Sequence, residues 1–198
     1  MLLLILGLVL FFAVHAVPTA PELRRDLATR FGENSYKLAF TVISLASFAL
    51  IVLGYHKLQL HPGKNVVLFE PPEWTRHIAF ALMLPAMIFL VAAYVPSRIR
   101  TRLKHPMLLA IKIWALAHLL VNGDLASFLL FGSFLAYAIY DRISLKHRGA
   151  LGPLGSRSGP PINDALVIVG GSALYAFLVY AGHGVLIGVP LMQGGAAG

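Results

Sequence analysis

Six long apolar runs constrain this chain more than any other feature: Met1–Val17, Tyr36–Tyr55, His77–Tyr94, Pro106–Val121, Leu125–Tyr140 and Ala165–Tyr180, the last extendable to Ile187. A helix that crosses a bilayer takes about 20 mostly apolar residues, with a working range of about 17–25. Inside hydrocarbon no water satisfies the backbone, so each run must form its own helical hydrogen bonds. The expected fold is therefore all-α, a polytopic membrane helix bundle with about six transmembrane helices, built as a single domain over residues 1–198. Composition agrees: 58% of residues are hydrophobic and 12% charged, against ~45–50% and ~25% in soluble domains. Asn122-Gly123-Asp124 alone joins the fourth and fifth runs, which makes them a tight antiparallel hairpin. Tyr36, Tyr55, Tyr94, Tyr140 and Tyr180 close several runs, as interfacial anchors do.

The charges fix an expected orientation. Arg24, Arg25, Arg30 and Lys37 follow the first run; Arg98, Arg100, Arg102 and Lys104 follow the third; Arg142, Lys146, Arg148 and Arg157 follow the fifth. These are twelve of the sixteen basic residues; the even loops hold Lys57, Lys64 and Arg76, and Lys112 lies inside a run. Lysine and arginine concentrate on the cytoplasmic side, so the odd loops face the cytoplasm and both termini lie outside. The net charge of +8 is thus a membrane-loop pattern and excludes a nucleic-acid partner, because no basic and aromatic surface survives once the runs are assigned to lipid. Val14-His15-Ala16 also resembles a small-residue cleavage site, which makes Met1–Ala16 a rival signal peptide. Its n-region carries no lysine or arginine, and the six-run reading is preferred.

Three loops carry local signals. In PELRRDLATRFGE, Leu23, Leu27 and Phe31 recur every four residues between arginines, the pattern of a short helix lying in the membrane interface. His61–His77, rich in proline and aromatics, is expected to rest on the outer face as a small cap. Residues 149–164 are Gly-, Pro- and Ser-rich and read as a flexible linker before the last helix.

Ionisable groups inside a bilayer are costly and mark functional candidates. Here they are His15 in the first run, and Lys112 and His118 in the fourth. His118 shares a helical face with Ile111, Trp114 and Asn122. Lys112 projects elsewhere, near the cytoplasmic end, and is read as structural, snorkelling or pairing with Asp141. The absence of cysteine removes disulfides, thiolate catalysis and Cys-ligated metal sites. Two histidines on two helices, with no acidic group at their depth, suit the axial positions of haem iron. Zinc wants a third ligand and commonly a carboxylate or cysteine. His77 and His105 begin helices at the interface and read as headgroup contacts, while His56, His61, His147 and His183 are assigned no role.

The segments HAVP, LGYH, PPEWTRHIAF and LVAAYVPSRIRTRLKHPMLLAIKIWALAHLLVNGDLASFLLFGSFLAYAIYDRISLKHR resemble the NnrU family of bacterial integral membrane proteins, from Met1 to about Arg148. The resemblance implies a multi-pass protein of the bacterial inner membrane, linked to nitrite and nitric oxide metabolism in denitrifiers. The family is related to the plastid 15-cis-zeta-carotene isomerase, which is understood to use haem b with histidine ligands. One ligand there follows the first apolar run in a His-Ser-Gly motif, and the other lies thirteen residues after an Arg-His-Pro motif in a Trp-x-x-Ala-His context. His15 falls at the first place, with Ala16-Val17 replacing Ser-Gly, and His118 at the second, thirteen residues after His105 in Lys-His-Pro, with Trp114 and Ala117 in register. The resemblance thus implies haem b held by His15 and His118, with Trp114 as a wall of the site and Asn122 as a polar neighbour.

Three function classes follow. The first is a haem-binding membrane protein of nitrogen-oxide metabolism or of carotene-isomerase-like redox chemistry, taking an apolar or small gaseous ligand. The second is a non-enzymatic accessory protein for reductase assembly or small-solute transport, marked by no cofactor and by active Lys112 and Asp124. The third, an isoprenylcysteine-type methyltransferase, needs a cytoplasmic cofactor-binding segment after its last helices, whereas this chain ends in the apolar LIGVPLMQGGAAG.

Overall fold

The structure, a computed structural model, describes residues 1–152 and 154–192. The expected all-helical architecture is what it shows; among the described residues the sole β-type pairing is an isolated bridge between Val67 and Asp124. Five helical segments are long and apolar enough to cross a membrane: 2–19, 33–59, 75–92, 125–147 and 161–187. The remaining apolar helix, Pro106–Val121, has 16 residues. At 1.5 Å per residue it is about 24 Å long, short of the ~30 Å hydrocarbon core. About six spans is therefore close, with this helix the outlier. The chain divides into two compact units, Met1–Val66 and Val67–Gly198.

In the first unit α1 (Leu2–Ala16) packs against α3 (Glu33–Gln59), with α2 (Pro21–Phe31) between them in sequence. Small residues let the two long helices touch backbone to backbone. A Cβ on Gly7 would lie 2.8 Å from the Ile51 backbone N, and one on Gly54 would lie 2.5 Å from that of Leu4. Glycine at such a crossing exchanges a side chain for close van der Waals approach, the main attraction available between helices in lipid. The amphipathic loop helix expected from Leu23, Leu27 and Phe31 is α2. Pro21 occupies its first turn, where the missing N–H costs nothing. Arg24 reaches from α2 to Glu33 at the start of α3, at 2.5 Å, and its guanidinium lies over the Tyr36 ring at 5.4 Å.

The second unit comprises α4 (Thr75–Ala92), α5 (Arg98–Leu103), α6 (Pro106–Val121), α7 (Leu125–His147), α8 (Pro161–Phe177), a π turn over Leu178–Gly182, and α9 (His183–Ile187). α4 is the hub: α6 and α8 both pack on it, and α7 packs on α6. Gly171 of α8 lies against the backbone of Ile88 in α4, leaving no room for a Cβ. The hairpin read from Asn122-Gly123-Asp124 is present. Asp124 caps α7, its Oδ1 accepting from the Ser127 N–H at 2.8 Å and its Oδ2 from the Ser127 hydroxyl at 2.7 Å. The Gly123 carbonyl accepts from the N–H groups of Leu68 and Phe69, so the segment before α4 is stitched to this turn.

At the other end of α4 the basic segment is ordered by one arginine. Arg100 is 2% exposed, and its guanidinium donates to the carbonyls of Arg157 at 2.8 Å and Gly155 at 2.7 Å. Asp164 accepts from the Ile99 N–H, and Asn163 donates to the Pro96 carbonyl. Between α5 and α6 the chain turns at Lys104, a non-glycine residue with φ of +62° and ψ of −45°, in a γ-turn closed by the His105 N–H donating to the Leu103 carbonyl at 2.7 Å.

Candidate functional site

Each candidate imidazole is positioned by its own helix. In α6 the Nδ1 of His118 lies 2.8 Å from the Trp114 carbonyl one turn earlier. A carbonyl only accepts, so Nδ1 carries the proton and Nε2 keeps the lone pair. That tautomer is the one a metal-binding imidazole uses when its other nitrogen is anchored to a carbonyl. The same holds for His15 in α1, whose Nδ1 lies 2.8 Å from the Phe11 carbonyl.

The surroundings of His118 are aromatic. Its ring stacks on Phe131 of α7 at 4.5 Å between centroids and lies 5.3 Å from the Trp114 ring. Trp114 in turn meets Phe131 at 4.9 Å and Phe134 at 5.5 Å, both edge-on. The α6–α7 hairpin thus presents one half-buried imidazole inside an aromatic shell that includes Trp114. Asn122 ends α6: its side-chain amide donates to the His118 carbonyl at 2.8 Å. It is a neighbour of His118 through the backbone, a helix-end cap in effect.

His15 belongs to the first unit. Its ring stacks on Phe11 at 3.9 Å and lies 5.1 Å from Phe40 of α3. Beside it, Val14, Val17, Leu27, Phe31, Tyr36 and Phe40 line an apolar cavity of about 380 Å³.

Lys112 is half-buried. The pairing with Asp141 that the sequence allowed is not formed: Asp141 pairs with Arg148 at 3.7 Å. The two are seven residues, about two helical turns, apart on one face of the last part of α7 and its cap. His105 is buried at the N-cap of α6, 7% exposed. Burial pushes its imidazole below the ordinary histidine pKa, and the nearby charge of Arg142 adds to the effect.

The residue that the sequence left without a role is His183, first residue of α9. Its ring lies 6.4 Å from that of His118, with the ring planes 15° apart. Its Nδ1 lies 2.6 Å from the Val189 carbonyl, so its free nitrogen is also Nε2. A sequence signal existed. The fourth and sixth runs cross in the same direction, and both histidines fall near the end of their run. Among the described residues no group of three or more His, Cys, Asp or Glu side chains is placed to hold a metal ion.

The family model for NnrU, described as NnrU protein, matches residues 3–191. The chain belongs to the NnrU family. No curated protein and no solved structure matches it.

Proposed function

We propose that this NnrU protein is a haem-binding protein of the bacterial inner membrane that serves nitrite and nitric oxide metabolism, with His118 as an iron ligand. One observation carries the reading: an imidazole within the apolar helix α6, its Nδ1–H tied to a backbone carbonyl and its ring walled by Trp114 and Phe131. An aromatic shell with one nitrogen lone pair suits a flat apolar macrocycle better than a bare ion. The donor set points the same way. Zinc takes about three or four protein ligands, and no such group exists among the described residues. Haem brings four equatorial nitrogens of its own, and the protein need supply only the axial ones.

On this reading haem b supplies redox chemistry and a site for a small gaseous ligand or a double bond. The chain's own residues bind and orient it. Trp114 fixes the His118 tautomer through its carbonyl and closes one side with its ring. Phe131 and Phe134 exclude water. Asn122 holds the end of α6 by capping the His118 carbonyl. Carotene-isomerase-like chemistry is the alternative use of the same iron, and His15 is the second ligand that the family resemblance implies.

The absorption spectrum of the purified full-length protein, from cells supplied with haem, tests the proposal. A Soret band is expected, lost in His118→Ala and kept in His105→Ala. Haem lost equally from both variants would mean a misassigned ligand. Wild-type protein free of haem would favour the accessory role in reductase assembly or transport.

A further inference from the structure

We infer that the apolar hollow beside α2 is a site for one anionic phospholipid, with an acyl chain in the hollow and the headgroup phosphate held at its rim by Arg30 and the Arg24–Glu33–Lys37 cluster. The site lies wholly within residues 1–66 and stands independently of the proposed haem.

Three helical segments build the hollow. Val14 and Val17 come from the end of the first apolar segment, Leu27 and Phe31 from α2, and Phe40 and Ile43 from α3. Its volume, about 380 Å³, falls within the ~300–1,000 Å³ of small-molecule pockets. Segments 2–19 and 33–59 are both long and apolar enough to cross a membrane. The hollow therefore begins where one segment ends and the other starts, at the boundary of the bilayer. From Ser35 to Ile43, both of which line it, α3 rises about 12 Å. The hollow thus runs from headgroup level into the hydrocarbon, as an acyl chain does. Phe31 is 60% exposed and Ile43 is 42% exposed, so the walls are open to surrounding lipid. Apart from Ser35 and Tyr36 the lining offers no polar side chain, which leaves little for a water-soluble ligand to bind.

Leu27 and Phe31 lie one turn apart on the apolar face of α2. The apolar face of an interfacial helix is ordinarily sunk among lipid chains. Here it closes one side of a space whose other walls are α1 and α3, and a chain lying there keeps that face covered.

The rim supplies the charge. The Arg30 guanidinium lies over the Phe31 ring at 5.7 Å, and that of Arg24 over the Tyr36 ring at 5.4 Å. Both rings line the hollow. A guanidinium that stacks by its face keeps its N–H donors in the plane, where they can meet the oxygens of a phosphate. Among the described residues Arg30 forms no ion pair, and Glu22 and Asp26, the other acids of α2, pair with neither arginine. Glu33 Oε1 is shared by Arg24 at 2.5 Å and Lys37 at 3.2 Å. Two cations on one carboxylate leave one positive charge over, and Arg30 adds a second. A zwitterionic headgroup brings no net charge to answer them, whereas an anionic phospholipid does.

Bulk lipid wets any open groove, so a site is marked by a preference between headgroups and a fixed place for the chain. The test uses full-length protein in detergent with phosphatidylglycerol that carries a photoreactive diazirine in its acyl chain, and maps the adducts by mass spectrometry. Adducts are expected on residues 27–31 and 35–43. Unlabelled phosphatidylglycerol should displace the label at a lower concentration than phosphatidylcholine with the same chains. Arg30→Gln should cut that preference by about fivefold, the factor carried by one basic residue near an anionic surface. It should still label the same segments, which shows that the variant is folded. Arg25→Gln, which removes the same charge from an exposed position of α2 outside the lining, should keep the wild-type preference. An unchanged preference in Arg30→Gln, or an equal loss in Arg25→Gln, would overturn the site. So would equal displacement by the two lipids, or adducts spread evenly along residues 2–59.

Discussion

Replacing Arg100 with lysine should loosen the 148–160 segment without unfolding the helices. The guanidinium is buried and reaches two carbonyls at once, those of Gly155 and Arg157. Hydrogen bonds to a charged group contribute about 1.5–3 kcal/mol each. A lysine ammonium keeps the charge but lacks the planar fork, so it can replace one of the two bonds at best. The loss is then about 1.5–3 kcal/mol for opening the segment, or roughly 10- to 140-fold in the opening equilibrium at 1.4 kcal/mol per tenfold. Two amides report it: the N–H groups of Gly155 and Arg157 bond to the carbonyls of Gly152 and Leu154 within the same segment. Their exchange with deuterium tracks the free energy of local opening. Hydrogen exchange by mass spectrometry on a peptide spanning these residues should accelerate by that factor in Arg100→Lys, and further in Arg100→Met, which leaves both carbonyls unpaired. Arg102→Lys, at an exposed position, should exchange like wild type. If Arg100→Lys and Arg102→Lys exchange alike, Arg100 does not hold this segment and the reasoning fails.

Gly54→Val should destabilise the first unit by about 1–3 kcal/mol, the usual cost of overpacking, because the atoms facing the new Cβ are the backbone of Leu4 and Leu3 rather than a flexible side chain. Gly132→Ala, with nothing within 4 Å of its Cβ, should be neutral or slightly stabilising, and equal melting of the two variants would refute the close α1–α3 crossing. His105 makes stability depend on pH: its pKa is lowered by burial in the fold, so the unfolded chain binds the proton first as pH falls. Its contribution is complete above the unfolded value of about 6.5 and is lost as pH drops toward the folded value. Thermal melts at pH 7.5 and 5.5 should therefore show a larger acid loss for wild type than for His105→Asn; equal losses would contradict it.

What the sequence determined is everything that follows from local pattern. Apolar runs long enough for a bilayer must be helices, because unpaired backbone in lipid is prohibitive. Prolines at 21, 106 and 161 mark helix starts and Asp124 marks the start of α7, since these residue types satisfy or lack the N–H groups that a helix start leaves over. Helical spacing alone put Trp114, His118 and Asn122 on one face, and the structure links them by hydrogen bonds one turn apart. Tertiary structure decided what lies between helices. Nothing local relates His118 to His183, sixty-five positions on; their approach depends on α6 and α8 both packing on α4 and on a π turn that no periodicity announces. The basic loop read as uniformly cytoplasmic charge contains one arginine that is buried, and only the fold of the Gly/Pro segment over it supplies the carbonyls that make burial tolerable. Sequence offered Asp141 to Lys112, and the fold at the end of α7 gave it to Arg148. Helix periodicity fixes neighbours within a few turns, whereas pairings across helices depend on the packing of several helices at once.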